Sequence, residues 1–439
     1  MVWLYAVVQC LGRWLRCVAG SAWIARCKKM EGMTMSLNLA KRMSVVQASP
    51  IIKVANAARE LKAKGENVLS LSIGVPGFLP PKHVYDAAKA AVDADNGDYL
   101  AGRGSPELVK AFVASMRQRG FDYAENEVCA QVGGKGALFN LLLALVDEGD
   151  EVVVPAPYWA SYPEMVKIVG GVPVMPAADA AHGYKLSAEQ LAAALTPKTK
   201  IVLFNNPSNP TGMLYTADEV AAIGAVLAQR PDVWVISDDI YDMLVFDGGA
   251  DGKGGRAAQL LDKHPELKQR LIVVQSVSKT YGMPGWRVGM VAAPKVVIDS
   301  LLTLTSQSFT NLPAVPMAAA AAALSGPQEF LETQRTRLVK QRDETLVALA
   351  AMKLPCPKPE GAFYVFPQIK GLFGKTSAGG RKIADDVAFC EALLAEEKVA
   401  CVPGGAFGDA GAIRMSYAGK AVELTEALGR VGRFVMGMK

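Results

Sequence analysis

The chain has 439 residues, of which 51% are hydrophobic and 20% are charged, and its formal net charge is +5. These proportions are typical of a globular enzyme, and the length predicts a large core divided between two domains. The first 34 residues hold five basic side chains against one acidic, a net +4, so the remainder carries only +1. That balance leaves no basic surface of the kind that binds nucleic acid.

The first 34 residues are interpreted as an extra segment outside the fold. Their apolar start at 1–11 is too short to span a bilayer, and no clear cleavage site follows it. A composition rich in arginine and poor in acids also suits a transit peptide. We favour a third interpretation, a later start of translation, because Met30, Met33 and Met35 follow in close succession.

Cysteine and histidine usage argues against several kinds of site. The seven cysteines are odd in number and form no Cys-x-x-Cys pair, which predicts reduced thiols and a cytoplasmic location. The three histidines, His83, His182 and His264, lie far apart in the sequence. We therefore expect neither a histidine metal site nor a Ser-His-Asp triad.

Strands and helices are predicted to alternate up to about residue 295. Predicted strands lie at 68–73, 128–132, 151–155, 172–176, 200–204, 233–237, 271–275 and 287–292. Predicted helices lie at 55–64, 83–93, 105–118, 136–146, 160–169, 187–194 and 216–228. The stretch 40–54 is expected to cross from one lobe to another, with Pro50 breaking any helix there. The alternation predicts a mostly parallel sheet whose strands are buried on both faces by helices.

The chain is predicted to become helical after residue 295. It includes an alanine-rich helix at 317–323 and a long helix at 327–352 that joins two lobes. A smaller α+β lobe should follow, with strands at 362–366, 398–402 and 412–417 and helices at 383–395 and 420–435.

A lysine follows the predicted strand at 271–275. The strand delivers Lys279 into a loop at its carboxyl end, which is where ligands bind in open α/β sheets. Ser276, Ser278 and Arg287 supply two hydroxyls and a guanidinium, groups that suit a phosphate. An amine beside a phosphate clamp suits covalent capture of a phosphorylated aldehyde. The plainer alternative is a surface loop with a solvated lysine.

Two further polar motifs follow predicted strands. Asn209 begins an Asn-Pro-Thr-Gly turn after the strand at 200–204, and Asp238 and Tyr241 follow the strand at 233–237. Because the carboxyl ends of parallel strands meet at one edge of a sheet, these side chains should lie near Lys279. Taken alone, the first motif is a good turn and the second is a weak signal.

The order of these motifs resembles that of the class I and II pyridoxal-phosphate-dependent aminotransferases. The runs at 133–135 and 157–164 look like the bacterial aspartate aminotransferase branch. The resemblance implies the aspartate-aminotransferase fold (fold type I), an α/β fold with a large, mostly parallel seven-stranded domain and a smaller α+β domain built from both chain ends. The implied division is an extra segment at 1–34, small-domain parts at 35–80 and 326–439, and a large cofactor domain at 81–325.

The resemblance also implies a pyridoxal 5′-phosphate site. Lys279 would be the catalytic residue that carries the cofactor, while Asp238 would pair with the ring nitrogen. The remaining cofactor-binding residues would be Asn209 and Tyr241 at the phenolate oxygen, Gly134, Lys135, Ser276, Ser278 and Arg287 at the phosphate, Trp159 on the ring face, and Tyr99, which reaches the phosphate of a partner subunit.

For the substrate, the resemblance points to an arginine fork. Arg414, in the run Arg-x-Ser-Tyr, would bind the α-carboxylate through two hydrogen bonds, unless it forms a structural ion pair. The other substrate-binding residues would be Gly74, Trp159, Asn209 and Phe363 around the amino acid and Lys135 at a distal carboxylate.

The implied activity is transfer of an amino group between an L-amino acid, aspartate as first choice, and a 2-oxo acid, 2-oxoglutarate as first choice. The implied assembly is a homodimer with shared active sites and no nucleic-acid or membrane partner. The chain departs from the branch at two places. The branch often has a lysine before an N-terminal Pro-Ser, where this chain has Gln47-Ala48-Ser49, and a Gly-Glu-Pro-Asp-Phe run, where this chain has Gly74-Val75-Pro76-Gly77. This chain therefore lacks one cation and two acids of that pattern. These departures leave aromatic, prephenate or neutral substrates open, and remoter alternatives are a lyase or cyclising synthase on the same fold and a ligand-sensing regulator.

Overall fold

The structure is a computed structural model that describes residues 39–94, 97–246 and 255–439. The predicted extra segment at 1–34 lies outside these described residues. The chain divides into two units, Met1–Ser44 and Val45–Lys439, and the described part of the first contains a short 3-10 helix, Lys41–Ser44. Within the described ranges, no helix combines the length and the apolar character needed to cross a membrane.

A seven-stranded sheet forms the centre of the second unit. The strands of the described chain are β1 Leu69–Ser70, β2 Val128–Val132, β3 Glu151–Val153, β4 Val172–Val174, β5 Thr199–Asn205, β6 Trp234–Asp238, β7 Leu271–Ser276, β8 Val288–Ala292, β9 Tyr364–Val365, β10 Val399–Ala400, β11 Val402–Pro403 and β12 Ile413–Ser416. The large sheet has the strand order β2-β8-β7-β6-β5-β3-β4, and β8 runs in the direction opposite to its other six strands.

Both faces of this sheet are buried in apolar cores. Along β5, Val202 and Phe204 belong to one core cluster, whereas Ile201 and Leu203 belong to another. This alternation follows from the two-residue period of a strand, which sends successive side chains to opposite faces. The prediction of an α/β fold with a mostly parallel sheet covered on both sides is confirmed.

Helices precede, separate and follow the strands of the sheet. The α-helices of the described chain are Pro50–Ala63, Lys82–Ala94, Pro106–Gln118, Gly133–Leu145, Tyr162–Ile168, Ala188–Ala194, Ala217–Ala228, Val277–Thr280, Lys295–Ser306, Ala314–Ser325, Glu329–Ala351, Asp386–Glu397 and Ala421–Met436.

Two local predictions were wrong. Pro50 does not break a helix but begins the one at Pro50–Ala63, because a proline at the first helical position loses no intrahelical hydrogen bond. Lys279 lies in a short helix, Val277–Thr280, rather than in a loop. Ser276 begins this helix by accepting a hydrogen bond from the backbone N–H of Ser278.

Two small sheets lie outside the large one. Strands β11, β12 and β9 form an antiparallel sheet, and β1 pairs in parallel with β10, with Leu69 opposite Val399. The second pairing joins the stretch after the first helix to the C-terminal region. It agrees with a small domain built from distant parts of the chain, whose boundaries stay a prediction.

Candidate active site

The carboxyl ends of three adjacent parallel strands bring the predicted chemistry together. Asn205 ends β5, Asp238 ends β6 and Ser276 ends β7, and these strands are neighbours in the sheet. A cavity of about 220 Å³ lies at this edge of the sheet, and segments from outside the sheet also line it. Its lining residues are Ser49, Ile51, Ile52, Gly74, Lys135, Trp159, Ser161, Tyr162, Asn205, Asn209, Asp238, Ile240, Tyr241, Lys279, Tyr364 and Arg414.

Eight of the predicted site residues line this cavity: Gly74, Lys135, Trp159, Asn209, Asp238, Tyr241, Lys279 and Arg414. The others do not. Gly134, Ser276, Ser278 and Arg287 lie beside it, around the start of the helix Gly133–Leu145. Tyr99 is 87% exposed, and Phe363 is fully buried in an apolar core.

Lys279 is an amine held without a carboxylate partner among the described residues. Its Nζ donates a hydrogen bond to the carbonyl oxygen of Gly74 at 2.5 Å. Burial lowers the pKa of Lys279 to about 8, and the guanidinium groups of Arg414 and Arg287 act in the same direction. Because the neutral form of an amine is the nucleophile, a lysine tuned in this way is reactive near neutral pH.

This tuning predicts how Lys279 should react with a small acylating reagent. We expect its acetylation by acetic anhydride to increase with pH and to reach half its maximum near pH 8, since only the unprotonated amine attacks. Isotope-labelled reagent at a series of pH values, followed by peptide mass spectrometry of the ligand-free protein, measures this directly. A Lys279 profile that superimposes on those of exposed lysine peptides would contradict the assignment.

Asp238 is a buried acid with one oxygen left free. It is 1% exposed, and its Oδ2 accepts a hydrogen bond of 2.5 Å from the hydroxyl of Tyr162. Its Oδ1 is buried and has no hydrogen-bond partner among the described residues. Burial raises the pKa of Asp238 to about 6, while the hydroxyl of Tyr162, the backbone N–H of Ile240 and the charge of Lys279 oppose that increase. A free carboxylate oxygen in a cavity is suited to a cationic or N–H-bearing ligand.

Arg414 is a buried cation in the same cavity. It is 2% exposed, and it donates hydrogen bonds to Asn209 Oδ1 at 3.0 Å and to the carbonyl oxygen of Ser72 at 2.7 Å. The rings of Tyr364 and Phe407 lie 4.6 and 4.8 Å from its guanidinium carbon. Burial lowers the pKa of Arg414, and no carboxylate of the described residues is within ion-pair distance. The structural ion pair considered for this arginine is therefore not seen in the described part of the chain.

A second group of residues forms a positively charged cradle at the start of the helix Gly133–Leu145. A Cβ on Gly133 would lie 2.3 Å from an Arg287 nitrogen, so only glycine lets the guanidinium approach this closely. On the other side, the hydroxyls of Ser276 and Ser278 are hydrogen-bonded at 2.7 Å. The first backbone N–H groups of a helix lack intrahelical acceptors, which makes this end suited to an anion.

Trp159 and Lys135 form one wall of the cavity. The Nζ of Lys135 lies 4.7 Å from the centre of a Trp159 ring, and Trp159 packs edge-to-face on Tyr162 with 5.3 Å between ring centres. Burial and the nearby Arg287 lower the pKa of Lys135, although its side chain still reaches solvent. No carboxylate of the described residues pairs with this lysine.

Sequence reasoning missed eight of the residues that line the cavity, and two tyrosines are among them. Tyr162 bonds Asp238, and Tyr364 bonds the hydroxyl of Tyr241 at 2.9 Å while its ring faces Arg414. The aromatic predicted to border the substrate was Phe363, but neighbouring residues of an extended segment point in opposite directions, and Tyr364 is the one in the cavity. Phe363 and Tyr364 are adjacent in the sequence, which by itself could not decide between the two aromatics.

Comparisons with known proteins agree on one family. The family model described as aminotransferase class I and II matches residues 66–431. The aspartate/prephenate aminotransferase of Cereibacter sphaeroides is 46% identical over 402 residues, which cover 91% of this chain and 99% of that protein. The aspartate aminotransferase of Geobacillus stearothermophilus is 40% identical over 403 residues, with 91% of this chain and 99% of that protein covered.

Solved structures give the same result. The crystal structure of the aspartate aminotransferase from Rhizobium meliloti has a TM-score of 0.87 and 38% identity, covering 92% of this chain and 100% of that one. The aspartate aminotransferase from Thermus thermophilus with maleate has a TM-score of 0.83 and 34% identity, covering 90% and 99%.

Proposed function

The chain belongs to the class I and II aminotransferases, and we propose that this transaminase uses pyridoxal 5′-phosphate to move an amino group between aspartate and 2-oxoglutarate. Three features of the site support the proposal: a reactive amine, a buried acid with a free oxygen, and a buried arginine with no carboxylate partner among the described residues. The last of these carries the most weight for the substrate.

The residues present fit the cofactor. Asp238 offers its free oxygen to the ring nitrogen, and the amide of Asn209, whose oxygen is occupied by Arg414, leaves an N–H₂ group to donate toward the phenolate oxygen together with Tyr241. Trp159 would cover a ring face. The cradle formed by the helix start at Gly134 and Lys135 and by Ser276, Ser278 and Arg287 would hold the phosphate.

When bound, the cofactor supplies an electron-withdrawing ring that stabilises the negative charge left when a proton leaves the α-carbon of the amino acid. The protein supplies the other parts of the reaction. Lys279 Nζ removes the proton and returns it, a task for which a lysine pKa of about 8 is suited. Asp238 stays ionised above about pH 6 and so keeps the ring nitrogen protonated.

Arg414 would bind the α-carboxylate of the substrate. A buried, unpaired guanidinium is costly, and a carboxylate that accepts two of its hydrogen bonds would offset that cost. The Nε of Arg414 is buried and has no acceptor among the described residues. It is therefore available to one of the two oxygens of a ligand.

A second carboxylate would bind Lys135. This lysine lines the cavity, has no acidic partner in the described ranges and keeps its cationic head near Trp159. The related Thermus thermophilus enzyme was solved with maleate, a dicarboxylate. Both points favour aspartate and glutamate over neutral amino acids.

Replacement of Lys135 by alanine should discriminate between substrates. We expect the KM for aspartate to increase about tenfold, the lower end of the range for a hydrogen bond to a charged group, because the side chain is partly solvated. The KM for phenylalanine should stay nearly unchanged. Steady-state kinetics with both donors measure the effect, and an equal loss for both would assign Lys135 to the phosphate instead.

Prephenate is a second candidate substrate. Ile51 and Ile52, in the first turn of the helix Pro50–Ala63, add an apolar wall to the cavity that holds Lys135 and Arg414. Prephenate combines two carboxylates with a carbocyclic ring, so all four side chains would be used. The relative from Cereibacter sphaeroides is named for both aspartate and prephenate.

The proposal includes a homodimer in the cytoplasm. Tyr99 is 87% exposed, which agrees with a side chain that serves the site of a partner subunit. The four cysteines of the described residues are free thiols, which agrees with a reducing compartment.

A donor and acceptor screen tests the proposed function as a whole. The purified protein is mixed with single amino acids, and the change in cofactor absorbance reports the first half-reaction. We expect aspartate and glutamate to react fastest and a 2-oxo acid to restore the starting spectrum. Release of ammonia or of a cyclised amine in place of a 2-oxo acid would instead assign the lyase or synthase alternative.

A further inference from the structure

Tyr162 makes a contact that the family resemblance did not suggest. Its hydroxyl donates to Oδ2 of Asp238 at 2.5 Å, and the other oxygen of that carboxylate has no partner among the described residues. We propose that Tyr162 is a positioning residue that occupies one oxygen of Asp238 and thereby presents the other to the ring nitrogen of the cofactor. This inference rests on the proposed function.

The structure holds Tyr162 firmly in this role. The residue is 3% exposed, it is the first residue of the helix Tyr162–Ile168, and its ring packs edge-to-face on Trp159. Burial, with the nearby Asp238 charge, raises the pKa of Tyr162 well above its ordinary value. The hydroxyl therefore keeps its proton and can act only as a donor toward the carboxylate. A short hydrogen bond to a charged acceptor is among the stronger ones in proteins.

The hydrogen bond also controls the charge of Asp238. In the described part of the chain, four titratable groups face this carboxyl or lie next to it: Tyr162, Tyr241, Asp239 and Lys279. Of these, Tyr162 and Lys279 favour the ionised form of Asp238, and burial opposes it. Since Lys279 is itself the reacting amine, Tyr162 is the side chain that can stay in place throughout the reaction, beside the backbone N–H of Ile240, which also favours the ionised form.

The test removes only the hydroxyl. In Tyr162→Phe, we expect the affinity of the ligand-free protein for pyridoxal 5′-phosphate to decrease about tenfold or more, the range for one charge-assisted hydrogen bond. Equilibrium titration followed by absorbance or tryptophan fluorescence measures the affinity without any turnover. Tyr158→Phe is the matched control, because Tyr158 lies beside the same strand edge and no hydrogen bond joins its hydroxyl to Asp238.

A double-mutant cycle separates positioning from packing. If Tyr162 acts through the carboxylate, Tyr162→Phe should change the affinity of the Asp238→Ala protein less than twofold, since the acceptor is already gone. A loss of the same size in both backgrounds would show that the tyrosine only supports the ring stack of Trp159, and it would overturn the proposal.

The pH dependence gives a second readout. Cofactor affinity should decrease as the pH falls through the pKa of Asp238, because the neutral acid no longer holds a protonated ring nitrogen. Without its donor the carboxyl has a higher pKa, so this decrease should begin about one pH unit higher in Tyr162→Phe than in Tyr158→Phe and the unchanged protein.

The outcomes distinguish a failure of the proposed function from a failure of the positioning role of Tyr162. If the unchanged protein does not bind pyridoxal 5′-phosphate, the proposed function fails. If it binds normally and Tyr162→Phe matches it in affinity and in pH midpoint, the positioning role alone is wrong. Thermal unfolding of each variant shows whether a loss of binding has to be attributed to a loss of fold, and Tyr162→His, which keeps a donor at this position, should then recover part of the affinity.

Discussion

Replacement of Lys279 by alanine is expected to reduce transamination about 10⁴-fold, the largest effect of any single substitution in this chain. The side chain would act both as the covalent attachment point and as the group that moves a proton at the α-carbon, and general acid–base catalysis alone contributes about 10²- to 10⁴-fold. Of the residues that line the cavity, Lys135 is the other amine, and it lies against Trp159 with its head near solvent.

Two measurements check this expectation. Single-turnover kinetics with aspartate give the loss of rate, and borohydride reduction of the unchanged protein followed by peptide mapping should place the cofactor label on Lys279. Lys110→Ala, an exposed lysine on the helix Pro106–Gln118, is the control and should behave as the unchanged protein. A label on a different lysine, or turnover by the Lys279 variant within tenfold of normal, would refute the assignment.

Replacement of Arg414 by lysine is expected to reduce kcat/KM for aspartate on the order of 10²- to 10³-fold. Lysine keeps the charge but not the planar fork that binds a carboxylate through two hydrogen bonds, and breaking a buried charge pair costs about 2–5 kcal/mol. The substitution also removes the hydrogen bonds to Asn209 and to the carbonyl oxygen of Ser72.

The Arg414→Lys experiment needs controls that separate a loss of substrate binding from a loss of fold. Arg433→Lys is the matched control. Arg433 lies on the last helix, its exposed side chain forms an ion pair with Glu397, and its replacement should change kcat/KM less than twofold. Cofactor binding should survive in Arg414→Lys, because the phosphate cradle at Ser276 and Arg287 is untouched. A variant that binds both cofactor and aspartate normally would falsify the role of Arg414 as the carboxylate site.

Much of the fold followed from simple patterns in the sequence. The strands at the centre of the sheet are apolar runs that are buried on both faces, as in β7, and their short length and β-branched residues distinguish them from helices. Helix starts were harder. A proline can end a helix or begin one, and Pro50 begins the helix Pro50–Ala63.

Site residues were predictable from the sequence where each belongs to a recognisable motif. Asp238 ends β6 and Lys279 follows β7, so the order of neighbouring strands brings these two to one edge of the large sheet. Arg414 lies within β12 of a small sheet and was predicted from its motif rather than from strand order. Contacts between segments were not predictable in this way. Tyr162 is one of several aromatics in a run. Its hydroxyl has a role because it donates a hydrogen bond to Asp238, which lies 76 positions away in the sequence.

The pairing of β1 with β10 has a consequence for synthesis of the protein. The residues just after β1 also contact β12. Arg414 donates a hydrogen bond to the carbonyl oxygen of Ser72, 342 positions away, and the N–H of Ser416 donates to the carbonyl oxygen of Leu71. During synthesis on the ribosome, the β1 segment therefore remains unpaired while the strands of the large sheet are translated and can fold. A nascent chain that stops before residue 399 would have the strands that carry Lys279 and Asp238 but no place for a carboxylate. Contacts of such long sequence separation form slowly, and the exposed segment is a natural target for chaperones during that interval.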